Sequence, residues 1–503
     1  MLWGQKGKTV SLRGFDIGVF LIYLVGVVAF GSYFVKRSRT TEGFMAASRS
    51  LPGWAVGLSI MGTYVSSISF LALPGNAFGG NWNSYVFSLT LPFAAVIAVK
   101  YFVPFFRETG EISAYHHLEG RFGPWARTYA LVMYLLTQLA RIGTIMYLVA
   151  LALAPLLNWD VRLVIIVTGI LVTIYTILGG IEAVIWTDVV QTIVLVGGGL
   201  LCMVLMLIGM PDGPTQVFEI AARFDKFSLG SFKFDFTTST FWVVFLYGIV
   251  INLQNFGIDQ NYVQRYHTAR SDVEAGKSVW LGALLYVPVS AVFFFIGTAL
   301  FAFYTKQPEL LNQSVNAAAK PDSVFPYFIV TQLPVGITGI LVAAVAAAAM
   351  STVDSSLNSS ATLILKDIYK RYFRPEAGEK ESMKVLYVAT LVWGLFGTGI
   401  ALAMVNVESA LDAWWELASI FSGGMLGLFL LGVISKKAKN PAAVTGVVIG
   451  VLVIFWMTMS KNWSGALEFM RSPFHNYMVI VIGTLVILLV GILVSRIRRI
   501  NET

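Results

Sequence analysis

Between residues 15 and 495 the chain is a succession of apolar runs, and a helix that crosses a bilayer needs about 20 such residues. Thirteen runs can be placed, near 15–35, 52–78, 83–105, 127–155, 161–179, 182–209, 239–260, 277–303, 336–367, 385–405, 410–435, 441–460 and 475–495. With the glycines counted, about two thirds of the residues are apolar and only 12% are charged, against about 25% charged in a soluble domain. A soluble chain of this length buries only about 75% of its unfolded surface. The sequence therefore predicts an all-α polytopic membrane protein, with the lipid bilayer as its main partner.

The first run is full length and is followed by Lys36, Arg37 and Arg39 without a small-residue cleavage pattern, so it reads as a retained helix rather than a signal peptide. An odd number of spans puts the termini on opposite sides. With the N-terminus outside, the cytoplasmic segments carry 22 of the 35 basic residues, Arg107, Arg121, Arg127, Arg265, Arg270 and Lys277 among them, and the outer segments carry 11. Positive charge collects on the cytoplasmic side of membrane proteins, which favours the N-terminus outside and the C-terminus in the cytoplasm. Lys100 lies near a helix end and can snorkel to the interface. Arg141 falls mid-span.

Several function classes drop out. One cysteine, Cys202, permits neither a disulfide framework nor a thiolate-rich metal site. The net charge of +8 is distributed in short clusters between apolar runs, which fits membrane orientation and no nucleic-acid partner. The connecting segments, chiefly 210–238 and 304–335, leave no room for an appended nucleotide-driven domain, and no obligate protein partner is implied. The four histidines, His116, His117, His267 and His475, lie near run ends without a buried nucleophile, so the chain is not expected to be an enzyme.

An ionisable side chain at the bilayer centre costs at least about 2.5–3.5 kcal/mol on insertion scales. Three stand out: Arg141, Asp188 and Asp354. Ser351, Asp354, Ser355 and Asn358 share one helical face at spacings of three and four, giving a ladder of oxygens suited to a hard cation. Asp188 follows a Gly179-Gly180 break by about two turns, and can either pair with Arg141 or join that ladder. The run 52–78 is interrupted by Gly57, Gly62, Pro74 and Gly75 amid Thr63, Tyr64, Ser66, Ser67 and Ser69. A second interrupted segment, 250–261, holds Asn252, Gln254, Asn255, Gly257, Asp259 and Gln260. A pair of broken spans is the sequence mark of a secondary transporter's binding site.

The run from Gly179 to Gln191 resembles the GG-x-x-A-V-x-W-T-D-x-x-Q signature of the solute:sodium symporter family, and Ser113 to Gly123 resembles its S-A-Y-x-x-L-E-x-R-F-G motif. Gln264-Arg265-Tyr266 and Ser355-Ser356-Leu357-Asn358-Ser359 match it too. The resemblance covers essentially the whole chain. It implies a LeuT-type core of two inverted five-helix repeats (52–209 and 239–435) in one transmembrane domain, with an additional N-terminal helix (15–35) and two additional C-terminal helices (441–495). It also implies sodium as the coupling ion, two per cycle. One site would use the carbonyls of Gly62, Val65 and Ala348 and the hydroxyls of Ser351 and Thr352. A second would use Asp188, Ser351, Asp354 and Ser355, with Asp354 standing where several relatives have a hydroxyl.

The branch it resembles best is the bacterial sodium/sialic acid one. That resemblance implies a small-molecule substrate bound by Tyr64, Ser66, Ser69, Ser88, Arg141, Asn255 and Phe256, with Arg141 gripping a carboxylate through its fork of donors. Tyr64 and Ser88 depart from that branch's pocket. A neutral sugar or polyol symporter, and more remotely a sensor or channel, are the alternatives.

Overall fold

The computed structural model describes residues 14–34, 37–66, 68–157, 159–312, 317, 320–405, 407 and 410–502. Lys6, Lys8, Arg13, Lys36 and Ser67 of the first interrupted segment lie outside the described residues.

The fold is all helical. Its main elements are α1 (Gly14–Tyr33), α2 (Gly53–Tyr64), α3 (Leu73–Gly79), α4 (Asn83–Thr109), α5 (His116–Phe122), α6 (Pro124–Leu157), α7 (Val161–Ile208), α8 (Phe241–Ile258) and α9 (Gln260–Thr268). They continue as α10 (Asp272–Lys306), α11 (Ile337–Leu363), α12 (Glu379–Ala403), α13 (Ala410–Ile434), α14 (Asn440–Met459) and α15 (Met478–Glu502). Eleven helices among the described residues are long and apolar enough to cross a membrane, and the bent pair at 53–79 makes a twelfth. The remaining expected span, 161–179, belongs to α7, which runs on through the Gly-Gly step with a local break at Gly180 (φ 57°, ψ −173°). A side chain there would collide with Ser38, whose hydroxyl donates to the Gly179 carbonyl at 2.7 Å. That contact is why the motif needs glycine.

Both predicted interruptions exist. α2 ends at Tyr64, Val65 leaves helical geometry (φ −85°, ψ 82°), and the chain resumes at a wide turn over Ile68–Ala72 that leads into α3, bent by 56° from α2. In the second, Asp259 is extended (φ −78°, ψ 120°), and its carboxylate caps the next helix by accepting from the Asn261 amide at 2.8 Å. Asparagine and aspartate compete with helical hydrogen bonding in this way. α11, alanine-rich and buried along almost its whole length, runs through the middle of the molecule against α6 and α7. Its small side chains permit that close approach.

Candidate substrate and ion sites

The two broken spans meet α6 and α11 at the centre. Beside that crossing lies a narrow cavity of about 80 Å³. Its wall includes Tyr64, Ser66, Ser69, Ser88, Arg141 and Asn255, six of the seven expected substrate residues. The seventh, Phe256, does not reach the wall. It is fully buried behind Tyr64, ring centroids 5.9 Å apart, because Asn255 and Phe256 are successive helical positions pointing about 100° apart.

Tyr64 is fixed by Tyr262 and Tyr286 at ring distances of 5.0 and 5.2 Å, and its hydroxyl donates to Asn252 Oδ1 at 3.2 Å. Ser69 donates at 3.0 Å to the Tyr64 carbonyl, which also accepts from the Ser66 amide at 3.1 Å within the break. Arg141 is almost fully buried; one Nη donates to the Thr63 carbonyl at 2.6 Å and the guanidinium lies 5.9 Å from the Trp414 ring. Asp259 and Tyr262 line the same cavity within electrostatic reach of Arg141.

Next to this cavity, α11 crosses the end of α2. The Ser351 hydroxyl reaches the Gly62 carbonyl across the interface at 3.4 Å, and Ser351 and Thr352 reach the Ala348 carbonyl at 3.4 and 3.3 Å. These distances are long for hydroxyl–carbonyl bonds, so the oxygens face one another without strong mutual pairing. Four of the five expected residues, Gly62, Ala348, Ser351 and Thr352, thus meet across two elements, and hydroxyl and carbonyl oxygens are the donors a hard cation takes.

Asp188 answers an alternative left open by the sequence, and its partner corrects one expectation. It pairs not with Arg141 but with Arg265, which reading the charges alone assigns to a cytoplasmic segment. Arg265 is fully buried: its guanidinium donates to Asp188 Oδ2 at 2.9 Å, Ser59 at 2.8 Å, Ser355 at 2.7 Å and the Asn261 carbonyl at 2.8 Å. The break at Asp259 turns α9 back into the protein, which carries Arg265 inward. Asp188 and Ser355 are thus brought together, but by a guanidinium; Asp188 Oδ1 is left buried without a hydrogen-bond partner. Asp354 is fully buried beside Ser355, and Tyr23 of α1 lies within electrostatic reach of it. The motif Gln264-Arg265-Tyr266 was the signal for Arg265; its distance from the nearest apolar run concealed its role.

Just beyond α11, Asp367, also buried, accepts from Ser113 at 2.7 Å and pairs with Arg127, which in turn pairs with Glu119 at 2.9 Å. The Ser113–Gly123 motif therefore ties α5 and α6 to the wide helical turn Ile364–Phe373 that continues α11, a lock of charges and hydrogen bonds. Lys226 from the 210–238 connection donates to the carbonyls of Phe78 and Gly80 at 2.7 and 2.8 Å, capping α3. Burial pushes its ammonium down from the ordinary lysine range to about 8.

The model of the sodium:solute symporter family matches residues 44–450. The chain belongs to this family. The symporter is 33% identical to the sodium/sialic acid symporter SiaT of Proteus mirabilis (strain HI4320) over 474 residues, 93% of this chain and 94% of that one. It is similar, with a TM-score of 0.88 and 31% identity over 96% of this chain and 98% of the other, to the substrate-bound outward-open state of a Na⁺-coupled sialic acid symporter. A more distant likeness, TM-score 0.57 at 16% identity over 90% of this chain and 94% of the other, is to a nucleobase-cation-symport-1 family transporter in a closed conformation, and it speaks to the fold alone. The symporter is a multi-pass plasma-membrane transporter that uses sodium.

Proposed function

We propose that this symporter imports sialic acid, or a closely similar acidic sugar, by sodium-driven alternating access. The relatives that match it over almost their whole length are sialic acid symporters. The observation that carries the reading is Arg141: a buried guanidinium on the wall of the central cavity whose remaining donors can fork onto a carboxylate. Arg141 holds the Thr63 carbonyl, and the adjacent residue, Gly62, supplies a carbonyl to the expected ion site. Sodium bound by Gly62, Val65, Ala348, Ser351 and Thr352 would fix the broken span, and through Thr63 would fix the arginine that receives the solute.

The finer assignments belong to the same reading. Thirteen spans follow if the part of α7 before Gly180 crosses the membrane, with the N-terminus outside and the C-terminus in the cytoplasm. Residues 52–209 and 239–435 form two inverted repeats, flanked by one additional helix before and two after. Two sodium ions move per cycle, the second near Asp188, Ser351, Asp354 and Ser355. At 100 mV two sodium ions gain about 4.6 kcal/mol and a monoanion loses about 2.3. The net electrical term corresponds to roughly forty-fold accumulation.

A neutral sugar is the second reading, and Asp259 favours it, because an acid beside Arg141 could satisfy the guanidinium without a substrate carboxylate. Binding of N-acetylneuraminate and of galactose in sodium and in potassium separates the two. The acidic reading expects sodium-dependent N-acetylneuraminate binding that Arg141→Ala abolishes. Wild-type affinity in that variant, or preference for galactose, would overturn it.

A further inference from the structure

A second chamber lies outward of the central cavity and shares Ser84 with it. It is the roomier of the two, at about 510 Å³, within the range of small-molecule sites. Its wall joins the 80–84 turn, the 210–238 connection, the start of α13 and the segment leading into α15.

The wall is prearranged. Asn83 donates to the Leu229 carbonyl at 2.8 Å and accepts from Ser239 at 2.9 Å, while Gly230 (φ 87°) packs so closely that a Cβ there would strike the Asn83 amide. The His475 amide donates to the Phe236 carbonyl at 2.8 Å, and its ring stands edge-on to Tyr477 at 4.5 Å. Tyr477 donates to Asp412 at 2.6 Å and rests on Trp415 and Tyr247, which line the central cavity. Against this frame, the side chains of Asn76, Glu416 and Asn476 line the chamber, and none of their polar atoms makes a hydrogen bond among the described residues. Amides, carboxylates and an aromatic ring around one space are what a polyhydroxylated solute needs: the amides and carboxylates accept its hydroxyls, and the ring covers its apolar C–H face.

We propose that this chamber is a second, outer binding site for the hydroxyl-rich part of the transported acidic sugar. Asp412 and Glu416 repel the solute's own carboxylate and accept its hydroxyls, so the molecule is held with its carboxylate turned inward, past Ser84 and towards Arg141. The inference rests on the acidic-sugar reading of the central site. It adds a station at which the solute is captured and oriented before the narrow central cavity admits it.

Equilibrium binding of labelled N-acetylneuraminate to the full chain in saturating sodium tests it. The expected isotherm has two classes of site. Arg141→Ala should remove only the inner class, while Glu416→Gln with Asn476→Ala should remove only the outer one and raise the KM of uptake about tenfold at unchanged maximal rate. A single class that the Glu416/Asn476 variant leaves untouched, with an unaltered KM, would overturn the outer site and spare the central reading. A single class in the wild-type chain that Arg141→Ala leaves untouched and the Glu416/Asn476 variant removes would overturn the central reading and not the chamber. A wild-type chain with neither class overturns both. Protein yield and sodium-induced stabilisation at the level of wild type in the Glu416/Asn476 variant guard against misfolding.

Discussion

Replacing Arg265 by methionine should expose the electrostatic design of the centre. The arginine supplies the positive charge for Asp188 and four hydrogen bonds that tie α2, α7, α9 and α11 together. Methionine keeps much of the apolar stem and removes the charge, leaving Asp188 buried and uncompensated with Oδ1 already lacking a partner. Breaking one side of a buried ion pair costs about 3–5 kcal/mol, whereas removing both charges is often close to neutral. Arg265→Met should therefore melt well below wild type in potassium, and Arg265→Met with Asp188→Asn should regain most of the loss. Sodium should also rescue the single variant in part, since a cation at Asp188 takes over the role of the guanidinium; at a hundred times its dissociation constant it contributes about 2.7 kcal/mol. The assay is the thermal midpoint of the purified chain in each cation. Single and double variants that melt together, with sodium moving neither, would refute the reasoning.

Three further outcomes follow from the same geometry. Gly62→Ala would place a Cβ 2.8 Å from the Thr192 hydroxyl and 3.7 Å from Asp188, pushing the end of α2 away from the ion site, so the sodium concentration for half-maximal uptake should rise about tenfold while the fold persists. With the one native cysteine, the buried Cys202, replaced by alanine, a Ser356→Cys reporter should be labelled by a cytoplasmic thiol reagent about tenfold faster once Arg127→Ala breaks the lock at Asp367; an unchanged rate would count against the lock. Lys226 binds fewer protons folded than unfolded between about pH 8 and 10.5, so its contribution makes stability rise with pH across that window. Lys226→Met should lose that rise, seen as a smaller difference between thermal midpoints at pH 7 and pH 10.

Much of this was legible before any coordinates. Long apolar runs have one physical solution in a bilayer, so the helices were readable, and glycine, proline and clustered amides marked both breaks. The spacing of Ser351, Asp354, Ser355 and Asn358 gave an oxygen-bearing face, a local pattern, but the placing of Ser351 and Thr352 against Gly62 came only from the family resemblance, because which break meets which helix is a tertiary matter. Arg265 was not readable from charge, since the turn at Asp259 that carries it inward is a tertiary event. The orientation of Phe256, one position from a cavity-lining residue, depends on the rotation of α8, which a helix of mostly apolar residues does not encode strongly. The outer chamber is assembled from four segments distant in sequence, none with a pattern of its own.

The central claim is that a sodium gradient drives an acidic sugar inward through the Arg141 cavity. Uptake of labelled N-acetylneuraminate into proteoliposomes, with an inward sodium gradient and then with potassium substituted at equal ionic strength, measures it most directly. The account predicts saturable uphill accumulation in sodium that an inside-negative potential increases and that Arg141→Ala removes. Equal uptake in potassium, or equilibration without accumulation, would contradict it.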